Sequence, residues 1–445
     1  MPIKYILVNG MEQPSQPIYD PYTYRKEIAT LGYWDGLVHL VNCILGGGIL
    51  SGPYGFKRVG WVVGLLVSAI VMMLIVYSFR LLVKCINEIC RRRRVPYMQF
   101  GKAMMECVIE GPSWMQRYKK SASIYVSSFL VIFHFGVGIM YIELATESVK
   151  DIIIYWLGYI DYKLVMLFLA PFLIAITMIK KLKSLVPVSV VSNITVLISI
   201  AMIAYYMIAD TTRPFSELLM FNELTYIPLY IGLVLLSNSS LGVLLAIEAE
   251  MKDPARYLGP FGCLNVGMSL LYVLFALFSM CGYWCYGDIT FFYVIDNIPE
   301  EEVVPNVSKI FHALAIFFTY PLQIYPVVSI IWTHRMAALF PPEAQPIFET
   351  SFRVMIVAIT MFASLTIPHF DIIISLISSV CLCVLGISLP GIMDMCLRYP
   401  NNYGPCHIAQ VRDIFLICFG VTACLAGIVN AGVSIYYRYT GEVRV

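Results

Sequence analysis

His39, Glu143 and Glu248 are ionisable side chains set inside or at the ends of long apolar stretches. A charge at the centre of a bilayer costs roughly 2.5–3.5 kcal/mol on insertion scales, so each needs a reason to be there. An unperturbed histidine titrates near neutral pH, which suits His39 to picking up and releasing a proton. A hydrogen-bonded structural histidine is the other reading. Glu143, near the outer end of its stretch, reads as a proton site, or as an interfacial cap or a partner for a basic side chain. Glu248 closes its stretch and reads as one half of a charged gate or as a solvated helix end. His134 and His312 sit in apolar runs with nothing nearby in sequence to assign them a role.

The second chemistry is that of exposed backbone. Gly46, Gly47, Gly48 and Ser51, followed by Gly52 and Pro53, fall inside the first apolar stretch. Glycine and proline there interrupt a helix. Broken backbone at membrane depth is tolerated where it is buried in protein or lines a watery cavity. Ser237, Asn238, Ser239, Ser240 and Gly242 interrupt a later stretch in the same way. The half-helix after a break presents N–H groups that favour a carboxylate, and the half-helix before it presents carbonyls that favour an ammonium or another cation. Two facing breaks therefore suit an α-amino acid, and a matched pair of them is the strongest sequence pointer to a transporter's binding site. A pair of packing kinks made of small residues is the other reading.

The elements that must hold these residues are helices spanning a membrane. The 445 residues are 59% hydrophobic and 13% charged, with mean hydropathy +0.78. A soluble domain averages about 25% charged. The apolar residues come in blocks of about 20, the length that crosses a bilayer core. Eleven spans are expected, roughly 34–58, 61–86, 122–147, 162–181, 186–209, 226–248, 261–285, 309–332, 352–369, 371–394 and 411–437. The breaks fall in spans 1 and 6, at corresponding positions if spans 1–5 and 6–10 are two repeats.

Loop charges set the orientation. Arg91–Arg94, Lys102, Lys180, Lys181, Lys183 and Arg256 lie in even-to-odd loops, and the alternate loops are acidic. The N-terminus is thus expected in the cytosol and the short C-terminus, 438–445, outside or in a lumen. Residues 1–32 are polar and rich in Pro and Tyr, and read as a disordered or loosely packed cytosolic tail without a cleavable signal. Phe100, Met104, Cys107 and Val108 recur at helical spacing, which predicts a short helix lying at the inner membrane surface. Asn306 opens a glycosylation sequon in a loop read as external. The thirteen cysteines show no metal-type spacing and read as small core hydrophobes. A formal net charge of +2 gives no reason to expect nucleic acid. Neither a cofactor motif nor a catalytic constellation is visible.

The chain resembles the amino acid/auxin permease family, within it the proton-coupled amino acid transporter branch. The likeness rests on His39, then Gly46 and Gly48, Pro53, Lys57 and Gly60; on Tyr97 through Gly111 and Pro112; and on Glu248 with Met251 and Pro254. It continues through Tyr286 to Asp288, Thr319 to Gln323, and Pro368 with His369, in that order and nearly to the end. The resemblance implies an eleven-helix symporter on a five-plus-five inverted repeat, with repeats at about 33–209 and 226–394 and an extra helix at about 411–437. It implies co-transport of a small neutral amino acid, of the glycine, alanine or proline type, with a proton, at plasma or endolysosomal membranes, and proton coupling at His39. Sodium in place of the proton stays open. Ile44, Gly47 and Ala249 depart from the family's pattern, and the 148–162 and 210–225 loops lack the cysteines of a disulfide many members carry. Those departures motivate an alternative, a membrane amino-acid sensor with little flux. Tyr320, Gln323 and Tyr325 are candidates to line the pathway.

Overall fold

The computed structural model describes the whole chain except residues 1–4, 9–10, 15–18, 26–28, 46, 211–213, 239, 299–302, 368–369 and 441–445. A small antiparallel hairpin, β1 (Tyr5–Val8) and β2 (Met11–Pro14), precedes an otherwise helical chain. The first half comprises α1 (Tyr33–Ile44), α2 (Gly52–Val59), α3 (Trp61–Arg93), α4 (Phe100–Glu110), α5 (Ser113–Gln116), α6 (Lys119–Leu157), α7 (Tyr162–Thr177) and α8 (Leu182–Asp210). The second half comprises α9 (Ile227–Ser237), α10 (Leu241–Glu250), α11 (Ala255–Leu258), α12 (Cys263–Tyr286), α13 (Val303–Val328), α14 (Gln345–Thr366), α15 (Phe370–Cys381), α16 (Leu389–Arg398) and α17 (Ile408–Thr440).

Among the described residues nine helical stretches are long and apolar enough to cross a membrane, or ten if the bent pair α1 and α2 is one span. The expected fourth span is α7, shorter at 16 residues and carrying Pro171 inside. α3 shows how the sequence makes such a helix. Val71, Ile75, Phe79, Leu82, Ile86 and Ile89 recur every three to four residues and are buried, while Leu66, Ile70 and Met73 on the other side are exposed and face lipid. Arg91, Arg92 and Arg93 fill its last turn, where cations complement the helix dipole.

Two sequence expectations are corrected here. α4 forms as predicted, but Phe100, Met104, Cys107 and Val108 are buried within the protein, with Gly101 against Ser123 and Ser127 of α6, so its apolar face serves the bundle and not the bilayer. Arg93 pairs with Glu106 at 2.8 Å and Arg92 with Glu110, tying α4 to the end of α3. The segment before α1 is also not loose where it is described. Arg25 is 1% exposed, and Leu31 bridges Met251 in parallel: the Leu31 N–H donates to Glu250 O and the Lys252 N–H to Leu31 O, both at 2.9 Å. Ion pairs and backbone bonds hold this segment, which has too few apolar residues to be held by burial.

Candidate functional site

The two interrupted spans meet at backbone contact. α1 ends at Ile44, a 3₁₀ turn runs over Gly47–Ser51, and α2 restarts with Pro53 in its first turn, bent 47° from α1. α9 ends at Ser237, and α10 restarts at Leu241. A Cβ on Gly48 would lie 2.3 Å from Ser237 Cα, so only glycine lets the two breaks touch. Gly46 and Ser239 lie outside the described residues.

Some of the freed backbone groups are capped by neighbouring side chains. Ser51 Oγ donates to Gly48 O at 2.9 Å, and Ser237 Oγ and Asn238 Nδ2 both donate to Val234 O at 2.8 Å. At the start of α10 the Gly242 N–H donates to His134 Nε2 at 3.0 Å. A Cβ on Gly242 would fall 2.4 Å from that nitrogen. His134, unassigned from sequence, thus comes from α6 to occupy the helix start where a carboxylate would be favoured. Its accepting Nε2 places the proton of the neutral ring on Nδ1.

Among the described residues, four buried polar atoms around this meeting point make no hydrogen bond of normal geometry: Asn238 Oδ1, Ser240 Oγ, His134 Nδ1 and Gln323 Oε1, with Gln323 beside His134 and Ser240 beside Cys43. Such groups are normally satisfied. Gln323 Nε2 meanwhile donates to Cys43 O at 3.0 Å, one of the last carbonyls of α1. The free atoms include acceptors for an ammonium and donors for a carboxylate. The space is contracted. Ile44, Ile49, Ser237, Asn238 and Phe275 line a cavity of about 20 Å³, room for one water. A second cavity of about 50 Å³ follows α10 from Gly242 to Glu248.

His39 sits in a hydrogen-bonded network joining α1, α8 and α13. It is fully buried, its Nδ1 sits 2.8 Å from Ser189 Oγ and its Nε2 3.0 Å from Leu182 O. A carbonyl only accepts, so Nε2 carries the proton and Nδ1 accepts from Ser189. Asn42 Nδ2 donates to the same Ser189 oxygen at 3.1 Å, and Thr319 Oγ1 donates to Asn42 Oδ1 at 2.8 Å. One turn before His39, Asp35 pairs with Lys183 of α8 at 2.5 Å.

Glu248 is a third cluster, at the end of the bundle that carries Arg91–Arg94. It is 3% exposed and accepts from Arg25 Nη1 at 3.0 Å. Arg25 also donates to Asn87 Oδ1 at 2.6 Å and Pro96 O at 2.7 Å, and lies near the rings of Tyr22 and Tyr97. Burial pushes both phenols above their usual range, keeping them neutral. Thr30 and Tyr325 donate to the Glu250 carboxylate at 2.9 and 2.7 Å. The sequence reads Glu248 as half of a charged gate or as a solvated helix end; it is buried, and its partner is Arg25.

Other candidates are dispersed. Glu143 is half-buried near Tyr162, away from the breaks. Tyr320 bonds Thr360 of α14 at 2.8 Å. Asn306, the sequon asparagine, lies in the first turn of α13 and is 3% exposed.

The chain has counterparts among known proteins. At 25% identity the chain is similar to the "proton-coupled amino acid transporter-like protein pathetic" of Drosophila melanogaster, over 96% of this chain and 90% of that protein. At 24% identity it is similar to "amino acid transporter AVT3C" of Arabidopsis thaliana, over 86% of each. Its fold matches Mhp1, a nucleobase-cation-symport-1 family transporter in a closed conformation, with TM-score 0.57 and 12% identity over 95% of both chains. A sodium-coupled sialic acid symporter matches with TM-score 0.52 and 12% identity over 94% of both. These likenesses establish the inverted-repeat transporter fold with discontinuous first and sixth helices. The family model for "Transmembrane amino acid transporter protein" matches residues 29–432, and the chain belongs to that family of membrane transporters.

Proposed function

We propose that the protein carries a small neutral amino acid, of the glycine, alanine or proline type, in symport with a proton. The observation that carries the reading is the contact of Gly48 with Ser237, beside four buried polar atoms that lack hydrogen-bond partners among the described residues. An amino acid's ammonium would take Asn238 Oδ1 and Gln323 Oε1, and its carboxylate the hydroxyl of Ser240 and the proton on His134 Nδ1. The repeats are taken as 33–209 and 226–394, with 411–437 as an extra helix. The Arg25–Glu248 cluster closes the basic end, which faces the cytosol of a plasma or endolysosomal membrane. The C-terminus then lies outside or in the lumen. Rocking of one bundle against the other would break that cluster and open the 50 Å³ cavity along α10 toward the site.

His39 is the proposed proton site. Protonating Nδ1 turns it from acceptor to donor, so the Ser189 hydroxyl must swing its own proton away and accept from both His39 and Asn42. The change reaches Asn42, two residues before the end of α1, and so acts on the break. Glu143, half-buried on α6, is kept as a secondary proton candidate.

Labelled glycine, alanine and proline uptake into proteoliposomes, with a proton gradient and then with a sodium gradient, tests the reading. Accumulation driven by protons is expected. Accumulation that needs sodium, or binding without uptake, would overturn symport with a proton.

A further inference from the structure

We propose that the basic end of α3 holds an anionic phospholipid, with its headgroup among the arginines there and an acyl chain in the crevice between α3 and α12. The proposal rests on the placement of these helices in a bilayer and not on the substrate assignment.

Two adjoining cavities carry it. One, of about 560 Å³, is lined by Arg80, Lys84, Arg91, Arg92, Arg398 and Arg412 against the carboxylates Glu88 and Asp394. Glu88 is shared by Arg91 and Arg92, and Asp394 by Arg398 and Arg412. Lys84 is exposed and makes no ion pair among the described residues. Among the described residues Arg80 donates only to the backbone carbonyls of Leu258 and Gly259, at 3.1 and 3.2 Å, and its buried Nε has no partner. Two cations one helical turn apart on α3 thus face this cavity without a carboxylate. Nearby Glu110 and Asp413 compensate Arg92 and Arg412, not these two.

The other cavity, of about 580 Å³, is lined by Met72, Met73 and Val76 of α3 and Met268 and Val273 of α12. Tyr77 and Arg80 line both. The apolar crevice opens on the lipid-facing surface, where Met73 is 67% and Val273 50% exposed. From Ala69 to Arg80 the helix rises about 16 Å. The order along α3 is apolar crevice toward the bilayer centre, then cationic cavity toward the surface. A phospholipid lying against the helix has the same order, and basic pockets between helices at a membrane surface are suited to anionic headgroups. Tyr22 and Asn87 also line the cationic cavity, and Asn87 holds Arg25. A headgroup there touches the same residues that close the basic end.

The test is lipid retention by the purified full-length protein, read by native mass spectrometry with phosphatidylinositol phosphate, phosphatidylserine and phosphatidylcholine in competition. The anionic lipids are expected to be retained in preference to phosphatidylcholine. Lys84→Ala should weaken their retention about five-fold, the equivalent of about 1 kcal/mol per basic side chain near a membrane surface. Met73→Trp, which fills the crevice, should weaken it too. Lys102→Ala, an exposed cation on α4, should leave it unchanged. Equal retention of all three lipids, or an effect of Lys102→Ala equal to that of Lys84→Ala, would overturn the proposal. Displacement of the lipid by soluble inositol phosphate at matching concentration would show a free-anion site and overturn the lipid assignment.

Discussion

The meeting point of the two breaks and the cluster at the basic end are built from opposite materials. At the breaks glycine brings backbone against backbone, the side chains are neutral, and several polar atoms lack partners among the described residues. At the basic end Arg25 and Glu248 are charged, buried and bonded to one another and to Asn87. A binding site must leave groups free for a guest, and a gate must satisfy its own groups when shut. The contrast teaches which region to test by shape and which by charge.

Gly48→Ala should have the largest effect. Its Cβ would clash with Ser237 backbone, which no rotamer change relieves. Uptake should fall to background with the protein still in the membrane. Full uptake would separate the breaks from the site.

His39→Ala comes next. Proton-driven uptake should be lost while surface expression persists. An unchanged pH profile of uptake would rule out the proton role.

Arg25→Ala strands a buried carboxylate. Removing one partner of such a pair costs about 3–5 kcal/mol, so the closed basic end should yield to the open one. A cysteine placed at Ala246, beside the 50 Å³ cavity, should then label faster from the side of the basic end. Adding Glu248→Gln should restore slow labelling, because no charge is left unpaired. Labelling unchanged by Arg25→Ala would show that the cluster is not a gate.

Tyr325→Phe removes one hydrogen bond to Glu250 and should shift the same labelling rate by the equivalent of about 1 kcal/mol. A larger shift would move part of the gate from Glu248 to Glu250.

Local signals made the breaks legible. Three glycines before a proline, and a Ser-Asn-Ser-Ser run inside apolar blocks, break a helix wherever it packs. Nine or ten of the eleven expected spans were legible among the described residues because a bilayer imposes a length, and α7, with 16 residues, is shorter than that length. What joins distant segments was not legible. Glu248 lies 223 residues from Arg25, and Gly242 lies 108 from His134. No periodicity sets the register of one span against another. The segment before α1 read as loose for the same reason: its anchors are polar contacts with remote partners. The burial of Asn306 was equally hidden, since a sequon says nothing of what packs on it.

The most direct test of the shared site is equilibrium binding of labelled glycine, alanine and proline to the purified protein, comparing wild type with Asn238→Leu and Gln323→Leu. The account predicts that wild type binds at least one of the three and that both variants lose that binding while remaining folded. Wild-type affinity in both variants would contradict a substrate held where the two broken helices meet.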